Sequence, residues 1–393
     1  MKKIVCFAGL LVLAVINAKS INVIRGPYVE AVGRRSAVIR WSFDRADFAW
    51  LQYGTKSKCN RMMTISPSEK NHIMYLYGLT PGTDYCYKVF GKVKVDDDSR
   101  SVFLAEGSFK TLKPTSKYSF KFSVVGETGS DTQKQYDVAE KMIELESDFV
   151  VHTGNIVNTG LDEDADTQYF KPFKDVMSKM PFFLAMGVSA YGSEDTDKQS
   201  KSFLARNYKL HHTMPWSIKT PHYYYFDNAN SRFVFLDAAS LLGIEAAPPI
   251  KPNSAQINWL KATLRKARGL WKFVFINLPV YSTGDTGSSE KLIEVLEPIF
   301  QTYDVDVVFQ GYDANYERTH QIRDGEKVER GGIIYVTLGG GGRDLGEQAK
   351  NRNWSDVFKS KHHFAHINIT GRRFKMQVYS INGDIIDELE ITR

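Results

Sequence analysis

From Asn22 to Thr111 apolar and polar residues alternate in short runs: VIRGPYVE, SAVIRWSF, WLQYGT, HIMYLYGL, DYCYKVFG and EGSFKT. In Ser36–Phe43 the alternation sets Ala37, Ile39, Trp41 and Phe43 on one face, as a half-buried strand requires. Turn residues separate the runs at the spacing of a β-sandwich. Beyond the polar join Lys113-Pro114-Thr115-Ser116 the period changes. The apolar runs KFSVV, DFVVHT, FFLAM, RFVFLD, KFVFIN, VDVVFQ and IIYVTL now alternate with segments of helical period. Gln135–Leu145 gathers Tyr136, Val138, Ala139, Met142 and Ile143 largely on one side, and Gln256–Ala267 does so with Ile257, Leu260 and Leu264. Each run stops at a loop rich in Gly, Ser, Thr or Asn. That pattern predicts a mixed α/β domain with its functional edge at the strand ends. The last stretch, HFAHINIT-GRRFKMQVYSI-NGDIIDELEI, adds antiparallel strands, one pair joined by an Asn-Gly turn.

Composition narrows the class only a little. A chain of 393 residues, 42% hydrophobic and 24% charged, has room for two or three domains and is not a disordered one. The formal charge of +6 includes Lys2 and Lys3 of the segment MKKIVCFAGLLVLAVINAKS. That segment predicts a signal peptide over residues 1–18, cleaved near Ala18, which leaves an excess of about +4. Such an excess is too small and too dispersed for a nucleic-acid partner. The apolar stretch Ile4–Ile16 falls short of the roughly 20 residues that span a bilayer. A retained anchor is the alternative there, and no second apolar stretch reaches membrane length. The expectation is an exported protein, extracellular, periplasmic or at the cell surface, without a membrane span. Export leaves Cys59 and Cys86, for which a disulfide stays open. The sequons at Asn353 and Asn368 match what chance supplies.

The strand-end loops offer Glu127 in GETG, Asn155 and Asn158 in GNIVN, Ser189 in GVSAYG, Asn277 in FINLP, and Tyr312 and Asp313 in GYDAN. Hydrolysis by a metal pair needs several anionic or imidazole ligands against roughly four positive charges. One glutamate with neutral amides cannot supply that. GVSAY misses the last glycine of a nucleophile elbow, and the glycines 339–342 lack the Lys-Ser/Thr of a phosphate loop. His211-His212 and His362-His363 are adjacent pairs whose side chains diverge, which suits surface or packing roles better than metal.

In LTPGTDYCYKV, Leu79, Pro81 and Tyr85 look like the tyrosine corner of a fibronectin type III module. From Arg25 to Ile391 the chain resembles the purple-acid-phosphatase branch of the calcineurin-like metallophosphoesterases. The resemblance is carried in order by FSVVGETGSDTQKQYDVAEKM, DFVVHTGNIVNTG, HYYYFDNANSRFVFLD, QINWLKATL, WKFVFINLPVYSTG, VFQGYDANYER and IIYVTLGGGG. It implies a fibronectin type III-like sandwich over residues 22–112, then a four-layer αββα metallophosphoesterase-like domain over 118–393.

The family would hold an Fe, Zn or Mn pair, and its ligands fall on Glu127, Asn155, Asn158, Val188, Asn277, Tyr312 and Ala314. Its substrate-facing histidine falls on Ser189. None keeps the family residue, and only Glu127 is an anion, so no metal cofactor is expected. Glu127, Asp313, His152 and Arg318 are the residues that could still serve the cleft. Asp237, Trp259, Pro279, Tyr281, Gly311, Tyr316, Glu317 and Arg318 match family positions that support the scaffold.

The leading expectation is therefore a catalytically silent relative acting as a binding or structural protein. Its partner would be a protein or glycan, or further copies of itself. The alternatives are a phosphomonoesterase or phosphodiesterase with a rebuilt or single-metal centre, and a phosphate or glycan binder using the emptied cleft.

Overall fold

The computed structural model describes residues 21–64, 69–95, 98–192, 205–215 and 221–393. The leader expected over residues 1–18 lies outside them. The alternating N-terminal runs form two antiparallel sheets. Strands Val23–Glu30, Ser36–Asp47 and Glu69–Tyr77 make one, and Lys58–Thr64, Ala49–Thr55, Asp84–Val95 and Asp98–Lys110 make the other. Ala37, Ile39, Trp41 and Phe43 are all buried in one core with Leu51, Tyr87 and Val89 of the facing sheet. The Tyr85 hydroxyl accepts the Thr80 backbone N–H at 2.9 Å, which is the tyrosine-corner contact. Cys59 and Cys86 are both free thiols, so the open disulfide is not formed. Burial and the neighbouring Cys86 push the Cys59 thiol up to about 12.

The remainder is two larger sheets with helices outside them. Phe182–Leu184, Phe149–His152, Ser119–Val125, His363–Thr370, Arg373–Ser380 and Ile385–Thr392 lie in that order in one sheet. The second runs Tyr224–Asn228, Ser231–Leu236, Trp271–Ile276, Val307–Gln310, Ile334–Leu338, Tyr316–Thr319 and Ser355–Lys359. Aromatic rings knit the two inner faces: Phe122 meets Phe233 at 5.1 Å and Phe149 meets Phe233 at 5.3 Å, both edge-on. The expected helices occur as Gln133–Glu144 and Ala255–Arg265. The first buries Val138, Ala139 and Met142, the second Ile257, Leu260 and Leu264. Ser254 caps the second by accepting the Ile257 N–H. A further helix, Glu290–Thr302, covers the same sheet and carries Pro298 within it. The αββα layering that the family resemblance implies is present.

Strands Ser119–Val125, Phe149–His152 and Phe182–Leu184 pair in parallel, as do Ser231–Leu236, Trp271–Ile276, Val307–Gln310 and Ile334–Leu338. Their carboxyl ends therefore open onto one edge of the molecule, where loops from both sheets meet. Among the described residues, no helix is long and apolar enough to cross a membrane.

Removing the tyrosine-corner hydroxyl leaves the Thr80 N–H without its acceptor. Tyr85→Phe is expected to cost about 1–3 kcal/mol of stability, read as a lower urea midpoint at unchanged slope.

Candidate functional site

Glu127 follows strand Ser119–Val125 and is buried at 1% exposure. Its Oε2 accepts the Asn155 side-chain amide at 3.0 Å, and its Oε1 accepts the Asn277 amide at 3.0 Å and the Tyr312 backbone N–H at 2.9 Å. The Arg343 guanidinium lies 3.3 Å from Oε2. Asn155 follows a neighbouring strand of the same sheet, whereas Asn277 and Tyr312 follow two strands of the other. One carboxylate thus gathers donors from loops of both sheets. Burial raises its pKa above the ordinary value, against the pull of Arg343 and the three hydrogen bonds.

Both amides are committed in the same sense. Each gives its NH2 to Glu127 and turns its oxygen to a backbone N–H: Asn155 Oδ1 accepts from Ser189 at 3.0 Å, and Asn277 Oδ1 from Val188 at 3.1 Å. Gly187 permits that close approach, since a Cβ there would stand 2.0 Å from the Asn155 nitrogen. Glu127, Asn155 and Tyr312 have φ of 53°, 54° and 71°, in the left-handed region. Such strain costs on the order of 1 kcal/mol per residue and persists where surroundings dictate it.

These contacts decide whether a dinuclear metal centre fits. A cation needs lone pairs, and here the amide oxygens are bound to N–H groups while the carboxylate is saturated by donors. Among the described residues, no three His, Cys, Asp or Glu side chains converge to hold a metal ion. The residues present do not fit the metal pair.

The other expected positions separate. Asn158, Val188, Ser189 and Tyr312 line a cleft of about 440 Å³ together with Glu127, Asn155 and Arg343. Ala314 and Asn277 do not line it, Asn277 because it lies buried beside Glu127.

Three of the residues that could still serve the cleft are corrected. His152 is fully buried, with Nδ1 accepting the Gly154 N–H and Nε2 against Thr128 Oγ1 at 2.9 Å; burial lowers its pKa to about 3. Asp313 is turned to the loop at 282–286, where it accepts from Ser282 Oγ and the Thr286 N–H. Arg318 is held by Asp387 and Asp356 within the scaffold. Of the adjacent histidines, His211 contacts Arg25 and Asp162 and His212 contacts Glu30, so that pair joins the sandwich to the larger sheets.

Arg343 is the residue that sequence reasoning missed. Its signal was a lone arginine directly after the glycines 339–342, where a loop from a parallel strand reaches the shared edge.

Glu127→Ala strands Arg343 and two buried amides and is expected to cost about 3–5 kcal/mol in chemical denaturation. The pH dependence has a definite sign. With a folded pKa above the unfolded one, Glu127 favours the native state most below its ordinary pKa. That contribution is lost as pH rises through the raised value. Glu127→Gln should flatten the melting temperature against pH across that window, measured by calorimetry.

Comparison with known proteins agrees with this architecture. The calcineurin-like phosphoesterase family matches residues 124–311. Purple acid phosphatase 21 of Arabidopsis thaliana is 28% identical over 287 residues, which cover 71% of this chain and 60% of that protein. The chain thus spans less than two thirds of that relative's length. A purple acid phosphatase from yellow lupin (Lupinus luteus) seeds superposes with a TM-score of 0.79 at 16% identity, covering 94% of this chain and 75% of that one. GAP50, described as the anchor in the inner membrane complex of Plasmodium, superposes with a TM-score of 0.54 at 20% identity, covering 70% of this chain and 89% of its own. Residues 124–311 form a calcineurin-like phosphoesterase domain, and the chain is similar to purple acid phosphatases in sequence and in fold.

Proposed function

We propose that the chain is an exported, catalytically silent relative of the purple acid phosphatases that acts as a binding or assembly protein. The observation that carries this reading is the Glu127 carboxylate, surrounded by the Asn155 and Asn277 amides, the Tyr312 N–H and the Arg343 guanidinium. Two-metal hydrolysis depends on ligands that hold cations about 4 Å apart and generate a nucleophile from bound water. Here the guanidinium supplies positive charge and the amides supply donors, so the chain's own groups take the place of the metal pair. A rebuilt single-metal phosphoesterase would need Asp313 or His152 beside Glu127, and both are engaged elsewhere.

Export rests on the charge and apolar pattern of residues 1–18. The assembly role draws support from GAP50, a protein of this fold that is described as an anchor. A second reading, a ligand-binding cleft, is favoured by the roughly 440 Å³ that remains beside the network.

The test is metal analysis of the purified mature chain by mass spectrometry, with phosphate mono- and diester assays under added Fe, Zn, Mn and Mg. Substoichiometric metal and no turnover above buffer are expected. Stoichiometric metal with turnover that disappears in Glu127→Ala would sink the reading.

A further inference from the structure

We propose that the cleft beside Glu127 binds a neutral, polyhydroxylated ligand, a saccharide unit, in preference to a phosphate. This rests on the reading above, that the site holds no metal pair. The cleft, about 440 Å³, falls within the range of small-molecule pockets. Among the described residues lining it, Glu127 is the one carboxylate and Arg343 the one cation, and they face each other at 3.3 Å. Their charges cancel locally. A phosphate dianion entering here would sit beside a buried carboxylate and compete with it for the Arg343 guanidinium. Among the described residues lining the cleft, no further cation offsets two negative charges.

The same wall suits hydroxyl groups and C–H faces. Tyr312, half-buried, contributes aromatic surface and Leu242, 48% exposed, contributes an apolar rim. Behind that wall the Tyr191 ring is buried and fixed, its hydroxyl bonded to Asp237 and 2.6 Å from His222 Nδ1. Asn158 is exposed and brings an amide with both donor and acceptor, the pairing that a sugar hydroxyl can answer in either sense. The guanidinium of Arg343, partly exposed, is held by Glu127 and by the Val157 carbonyl and has terminal N–H groups left to donate to a neutral oxygen without leaving either.

The experiment titrates the full mature chain with glucose, galactose, mannose, N-acetylglucosamine and lactose, and separately with inorganic phosphate, by calorimetry and ligand-observed NMR. At least one saccharide is expected to bind with a dissociation constant of about 1 mM or tighter. Tyr312→Ala and Asn158→Ala should each weaken it by roughly tenfold, and phosphate should not displace it. Asn158 is exposed, so its variant keeps the test valid if the strained Tyr312 position does not tolerate alanine. Phosphate binding tighter than every saccharide, or no saccharide binding at about 10 mM, overturns the proposal. Phosphoester turnover measured on the same samples reports separately on the silent reading: turnover with saccharide binding refutes only that reading, and turnover without it refutes both.

Discussion

A carboxylate removed from water has to be answered by charge and hydrogen bonds, and in this fold the answer comes from two sheets at once. Glu127 draws Asn155 from its own sheet, Asn277 and the Tyr312 N–H from the other, and Arg343 from a further loop. Hydrogen bonds to a charged group contribute about 1.5–3 kcal/mol each, while burying the ion costs several kcal/mol. The cluster therefore leaves a small net stability but a strict geometry. It fixes the carboxyl ends of parallel strands against one another, and it explains why three non-glycine residues hold left-handed backbone there. In the family that this chain resembles, cations would make the same cross-link. Here a guanidinium and two amides make it, with donor and acceptor roles reversed.

The reversal extends past the first contacts. Because the amide oxygens of Asn155 and Asn277 accept from Ser189 and Val188, each amide is oriented by the loop behind it. Restoring one carboxylate would place a second anion beside Glu127 with no additional cation. Several coordinated changes separate this site from a metal site, and that is a property of the network, not of one residue.

The individual elements were legible because hydrophobic period and strand length decide them locally, whereas their αββα layering came from the family resemblance. Ser36–Phe43 alternates and is a strand with one buried face; Gln135–Leu145 has helical period and is a helix. The substitutions at the family's ligand positions were legible too, since Asn155, Asn277, Tyr312 and Ala314 are read off the resemblance without coordinates. What replaced the ligands was not. Arg343 lies far along the chain from Glu127, and only the parallel topology brings them together. Asp313 and Arg318 misled for the complementary reason: adjacency in GYDANYER says nothing about direction. Asp313 turns to Ser282, and Arg318 to Asp387, which Tyr316 also contacts. Glu317 is buried and accepts from Thr283 and Ser355. Half of that loop is framework, which accounts for its resemblance to the family where the ligands are gone.

The join between sandwich and larger sheets bears on what such a framework can do. Glu30 accepts from His212 Nδ1 at 2.6 Å and from the Thr213 N–H at 2.8 Å, with Arg40 at 3.8 Å. Arg25 lies over the Phe170 ring and reaches Asp166 at 2.6 Å, and Tyr87 donates to the Ser178 carbonyl. Separating the two parts would expose charged groups that are paired and largely buried, leaving several of them without partners in a partly apolar surface. The two parts are therefore held as one body, with the strand-end cleft and the outer faces of the sandwich in fixed relation. The buried contacts of Glu30 with His212 and Arg40 are the ones that hold that relation.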